Sequence, residues 1–105
     1  MATRTPRMDQ LEAMIADDPA DPELRYFLAM EYASAGDEPT AAEHFLRLTA
    51  DSTYVPAFLQ AGQILNRISR IDEACAALRK GIAIARQKGD THAEGEMAGL
   101  LATIE

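Results

Sequence analysis

The chain has 105 residues, enough for one small domain, and so short a chain has to run its core along its whole length. Its net charge of −7, from 17 acidic and 10 basic residues, repels nucleic acid and anionic membranes. No run approaches the ~18 consecutive apolar residues of a membrane span, β-branched and aromatic residues are too sparse for strands, and Cys75 alone cannot form an internal disulfide.

The start, MATRTPRMDQLEAM, carries Arg4 and Arg7 with no apolar run after them, unlike a secretory leader, so residues 1–7 read as a disordered tail. With the single cysteine this sets the expectation of a cytoplasmic protein. From residue 8 onward apolar residues recur at three- and four-residue spacing, the period of a helix. Residues 8–18 form the first. DDPADPE (17–23) ends it and starts another, with Asp21 as N-cap and Pro22 at the first helical position. AGDEP (35–39) breaks the second helix, with Gly36 suited to the left-handed closing conformation and Asp37 to capping the restart. DSTYVP (51–56) breaks the third. RISRID (67–72) breaks the fourth, and Ser69 and Asp72 stand at capping-box spacing. KGD (88–90) breaks the fifth, with Gly89 as terminator, and Thr91 with Glu94 repeats the capping-box spacing before a last helix over 91–104. Six helices joined by such short loops have to fold as antiparallel hairpins.

A shift of thirty-three residues superimposes the chain on itself. Ala29 then meets Gly62, Tyr32 meets Leu65, Gly36 meets Ser69, Ala41 meets Ala74 and Phe45 meets Leu78, each match keeping its size class. The pattern of Leu28, Ala29 and Tyr32, then Gly36, Ala41 and Phe45, resembles the tetratricopeptide repeat, as does Gly62, Leu65, Ala74 and Leu78 one period later. The resemblance implies an all-α fold: a right-handed superhelical stack of antiparallel helix hairpins, an α-solenoid of about six helices. Residues 8–105 would form one such domain, with 8–18 a partial repeat, 22–54 repeat one, 55–88 repeat two and 91–104 a capping helix. An unrelated up-down bundle uses the same helices around a closed core. Against the family pattern, Arg25 replaces a bulky aromatic that Phe58 keeps, Ser69 replaces the hinge glycine, and Gly81 replaces a helix alanine. Close helix contacts are expected where Ala29 faces Ala41 and Gly62 faces Ala74.

Catalysis is not expected. His44, His92 and Cys75 are too few and too scattered for a metal or nucleophilic site; His44 is expected to face solvent and Cys75 to fill core. The acidic pairs at helix starts are explained by the helix dipole. No cofactor and no metal are called for.

The expected function is a non-enzymatic protein–protein interaction module that binds a peptide or helix of a partner protein. By resemblance the first helix of each pair lines a concave groove, which places Tyr26, Met30 and Ser34 from repeat one and Leu59, Gln63, Asn66 and Arg67 from repeat two at the partner-binding face. The alternative is a self-associating subunit, a weak homodimer through Met97, Leu100 and Ile104 of the last helix, with Gly95 and Gly99 offering close backbone approach. The same stripe can instead roll inward onto its own subunit.

Overall fold

The computed structural model describes residues 4–105, and among them it contains six α-helices and no strand: α1 (Pro6–Asp17), α2 (Pro22–Ser34), α3 (Glu38–Asp51), α4 (Val55–Arg67), α5 (Ile71–Lys88) and α6 (Thr91–Ile104). Each helix lies on its neighbour in sequence, and α4 also touches α6, so α2–α3 and α4–α5 form hairpins stacked side by side. The stack is a solenoid with extents of 37 × 29 × 19 Å rather than a bundle closed on itself.

The helix ends follow from particular residues. Asp21 accepts a hydrogen bond from the Glu23 amide and Asp37 from the Thr40 amide, both as expected. Gly36 and Gly89 close their helices at φ 87° and 72°, where a Cβ would be strained. Ser69 occupies the corresponding place at the second hinge with φ 65°, the one such residue that is not glycine among the described residues. The same backbone bond closes all three turns: Asp37 N–H to Tyr32 at 2.9 Å, Arg70 N–H to Leu65 at 2.8 Å and Asp90 N–H to Ala85 at 2.8 Å.

Three local expectations are corrected. Ser69 and Asp72 form no capping box, because Ser69 is spent on the left-handed turn and Arg70 is the N-cap without a side-chain bond. Asp90, not Thr91, caps α6, accepting from the Ala93 amide. Residues 1 to 3 of the expected tail lie outside the described residues, and the remainder is ordered: Thr5 caps α1 through the Met8 amide and donates to Glu31 of α2 at 2.9 Å. Arg4 pairs with Asp9 at 2.7 Å and Glu12 at 2.8 Å.

The core runs the length of the stack in three adjoining parts. Met8 and Leu11 of α1 pack on Leu28 of α2. Phe45, Leu48, Ile64 and Leu65 fill the centre, and Phe58, Leu78 and Met97 lie under α6. A fully buried side chain of this size contributes about 1.5–3 kcal/mol, so each hairpin depends on the next to cover it. Ala29, Ala41 and Ala74 are fully buried. Gly62 is crowded by Leu78 of α5: an added Cβ would fall 2.4 Å from a Leu78 methyl. Gly81 does the same for α6, since a Cβ there would sit 2.5 Å from both Met97 Sδ and Phe58 Cβ.

Candidate functional site

The faces of α2, α4 and α6 that carry the expected binding residues are not uniform. At their N-terminal end they enclose a cavity of about 240 Å³ lined by Tyr26 of α2, Val55, Pro56, Leu59 and Gln60 of α4, and Asp90, His92, Ala93 and Glu96 at the start of α6. Pro22 opens α2, Pro56 stands in the first turn of α4 and Asp90 caps α6, and the short loops before them bring the three ends together. The walls are mainly aliphatic and aromatic, and the rim holds two carboxylates. His92 and Glu96 pair across one turn of α6 at 3.0 Å.

Of the expected binding residues, Tyr26 and Leu59 line this cavity; Met30, Ser34, Gln63, Asn66 and Arg67 do not, lying one to two turns further along toward the hinges. Tyr26 is held in place by its neighbours, edge-on to Phe45 at 5.9 Å and to Tyr54 at 5.3 Å. Burial pushes its phenol above the ordinary value. It is thus half core and half rim. Met30 leans on the central core, Ser34 is exposed, and Gln63 and Asn66 are half-buried. Arg67 is tied to Glu38 of α3 at 2.7 Å, a bond between the two hinges. Gln60, Pro56 and the first turn of α6 were not among the expected residues. Phe27, in the same repeat register as Gln60, is exposed beside Tyr26, with its ring 5.9 Å away.

Of the two orientations open to the apolar stripe of α6, the structure shows the inward one. Met97 is fully buried against Phe58 and Gly81, and Leu100 and Ile104 are half-buried on the same core. Met97, Leu100, Leu101 and Ile104 span an arc of roughly 100° on a helix, so they turn inward together. Gly95 and Gly99 are left on the open side, with nothing within 4 Å of an added Cβ.

His44 is also corrected: it is half-buried and stacks on Tyr32, rings 5.0 Å apart at 17°. Burial, helped by the Arg47 charge, lowers its pKa below 6.5. Cys75 is buried. Among the described residues no group of three His, Cys, Asp or Glu side chains is placed to hold a metal ion, and no helix is long and apolar enough to cross a membrane.

Comparison with known proteins places this geometry. Residues 1–54 match the family model described as tetratricopeptide repeat. A TPR repeat-containing protein of Pseudomonas aeruginosa is 31% identical over 99 residues, which cover 93% of this chain and 94% of the relative. A tetratricopeptide repeat domain protein of Salinibacter ruber is similar in its crystal structure, with TM-score 0.74 and 28% identity over 80% of this chain and 94% of that one. Its solution structure gives TM-score 0.77 and 30% identity over 84% and 90%. A protein of Bordetella parapertussis, also solved in solution, has TM-score 0.75 and 26% identity over 97% of this chain and 89% of that one.

Proposed function

Because the chain belongs to the tetratricopeptide repeat family, whose fold generally serves protein–protein interaction, we propose that it is a non-enzymatic module holding a segment of a partner protein against α2, α4 and α6. The observation that carries this reading is the cavity in which Tyr26, Leu59 and Ala93, from three successive units of the stack, share one apolar wall. An apolar side chain of the partner seats there, and the Asp90 and Glu96 carboxylates on the rim favour a basic neighbour. Met30, Ser34, Gln63, Asn66 and Arg67 continue the contact toward the hinges. The division into repeat one over 22–54, repeat two over 55–88 and a closing helix belongs to the same reading. A homodimer through Met97, Leu100 and Ile104 would have to withdraw Met97 from the core, so that alternative has lost its central residue.

The test is selection from a random peptide library on the wild-type protein, followed by transfer of each selected peptide to Leu59→Arg. Selected peptides should carry a large apolar residue beside Lys or Arg and lose at least tenfold in affinity on Leu59→Arg. Peptides that bind both proteins equally would place the site elsewhere.

A further inference from the structure

A second cavity, of about 250 Å³, opens where α1, α2 and α3 meet, and it is lined by Ile15, Arg25, Leu28, His44 and Arg47. The thirty-three-residue repeat supplies its own control. One period later the same groove has Phe58 in place of Arg25, Ala77 in place of His44 and Lys80 in place of Arg47. There the cation is used within the fold: Lys80 Nζ donates to the Thr49 carbonyl at 2.7 Å and lies 5.8 Å above the Phe58 ring. In the first groove Arg25 turns aside to grip Asp51 with two bonds of 2.7 and 3.0 Å. Arg47 has neither a carboxylate within ion-pairing distance nor a side-chain hydrogen bond among the described residues.

The charge pattern strengthens the contrast. Residues 9 to 51 hold eleven acids and only two basic residues, Arg25 and Arg47, and both line this one cavity. Arg25 is engaged by Asp51, so Arg47 is the one cation of this acidic half left without an internal partner among the described residues, at an apolar-walled hollow. Ile15 and Leu28 form the apolar wall, and the His44 ring is fixed by its stack on Tyr32.

We propose that this cavity binds a carboxylate carried on a small aliphatic or aromatic body, with Arg47 holding the carboxylate and Ile15 and Leu28 covering the apolar part. A planar guanidinium suits a two-oxygen anion, and a partly apolar setting strengthens that pairing. Such a group comes either from a free organic acid or from the apolar C-terminal residue of a peptide.

The test is an NMR titration that follows the Arg47 Nε–H and the Leu28 methyl signals with 3-phenylpropionate, acetate, 3-phenylpropanol and acetyl-Ala-Ala-Phe as its free acid. 3-Phenylpropionate should bind with a dissociation constant of about 1–5 mM, as a weak fragment does. Acetate and 3-phenylpropanol should each bind at least tenfold more weakly, one lacking the body and the other the charge. Arg47→Gln should lose at least tenfold while remaining folded. Arg25→Phe, which copies the Phe58 arrangement, should lose binding as the floor fills. Tighter binding of the tripeptide assigns the site to a chain terminus, and tighter binding of the free acid assigns it to a small molecule. No shift of either signal with 3-phenylpropionate, equal binding of acetate or of the alcohol, or an unaffected Arg47→Gln would overturn the proposal.

Discussion

Gly81→Ala isolates the contact that fixes the last helix. Its added Cβ would fall 2.5 Å from Met97 Sδ, 2.5 Å from Phe58 Cβ and 3.1 Å from Phe58 Cγ. Met97 and Phe58 are both fully buried, so neither has free space to move into, and the Phe58 atom is bound directly to its backbone. Overpacking of this kind costs about 1–3 kcal/mol. The gain in helix propensity from glycine to alanine, about 1 kcal/mol, offsets part of that. Gly95→Ala in α6 supplies the reference, because its new methyl meets nothing within 4 Å and only the propensity gain remains. Gly95→Ala should therefore stabilise by about 0.5–1 kcal/mol and Gly81→Ala should be less stable than Gly95→Ala by about 1–3 kcal/mol. In a chain of this length the difference corresponds to a Tm gap of at least about 4 °C. Thermal unfolding followed by circular dichroism is the assay. Shortening Met97 to Ala in the Gly81→Ala background should recover part of the strain, giving a non-additive double-mutant cycle. Equal melting of Gly81→Ala and Gly95→Ala would mean that α6 does not lie on α5 in this register.

Ser69→Gly should stabilise by about 0.5–1 kcal/mol, since relief of the left-handed strain exceeds the added freedom of the unfolded chain; chemical denaturation checks it, and a loss of stability would contradict the φ of 65°. Ala41→Leu and Ala74→Leu, each at a fully buried position, should cost about 1–3 kcal/mol, and unchanged melting of both would show the helix contacts to be misassigned. His44 should titrate below 6.5 when its ring proton is followed by NMR, because burial and the Arg47 and Arg25 charges outweigh Glu12 and Asp37. With its folded pKa lowered, the unfolded chain takes up the proton first as the pH falls. The contribution to stability is therefore full above 6.5 and is lost as the pH drops through the folded pKa, so His44→Gln should flatten stability over that window.

The fold was legible where one residue type has one physical use. Gly36 and Gly89 end helices because only they take φ near 80° without strain, and Pro22 after Asp21 starts one. The thirty-three-residue match of large on large and small on small identified the hairpins. Ser69 was ambiguous in the sequence, since serine suits an N-cap and the repeat alignment demands a glycine-like turn. The alignment was the better guide. Where α6 turns its stripe is decided by Gly81 on another helix, which no pattern within 91–104 contains. The site was legible only in outline. Tyr26 and Leu59 follow from the helix face, but the first turn of α6 joins them through tertiary placement alone. The stack of His44 on Tyr32 likewise needs two helices at once.

The central claim is that a partner segment seats its apolar side chain among Tyr26, Leu59 and Ala93. A peptide selected on the protein and carrying a nitroxide next to its apolar residue tests this in one spectrum. The Leu59 and Ala93 methyl signals should broaden strongly while that of Ile15, at the other cavity, stays sharp. Broadening at Ile15 with Leu59 and Ala93 unaffected would contradict the claim.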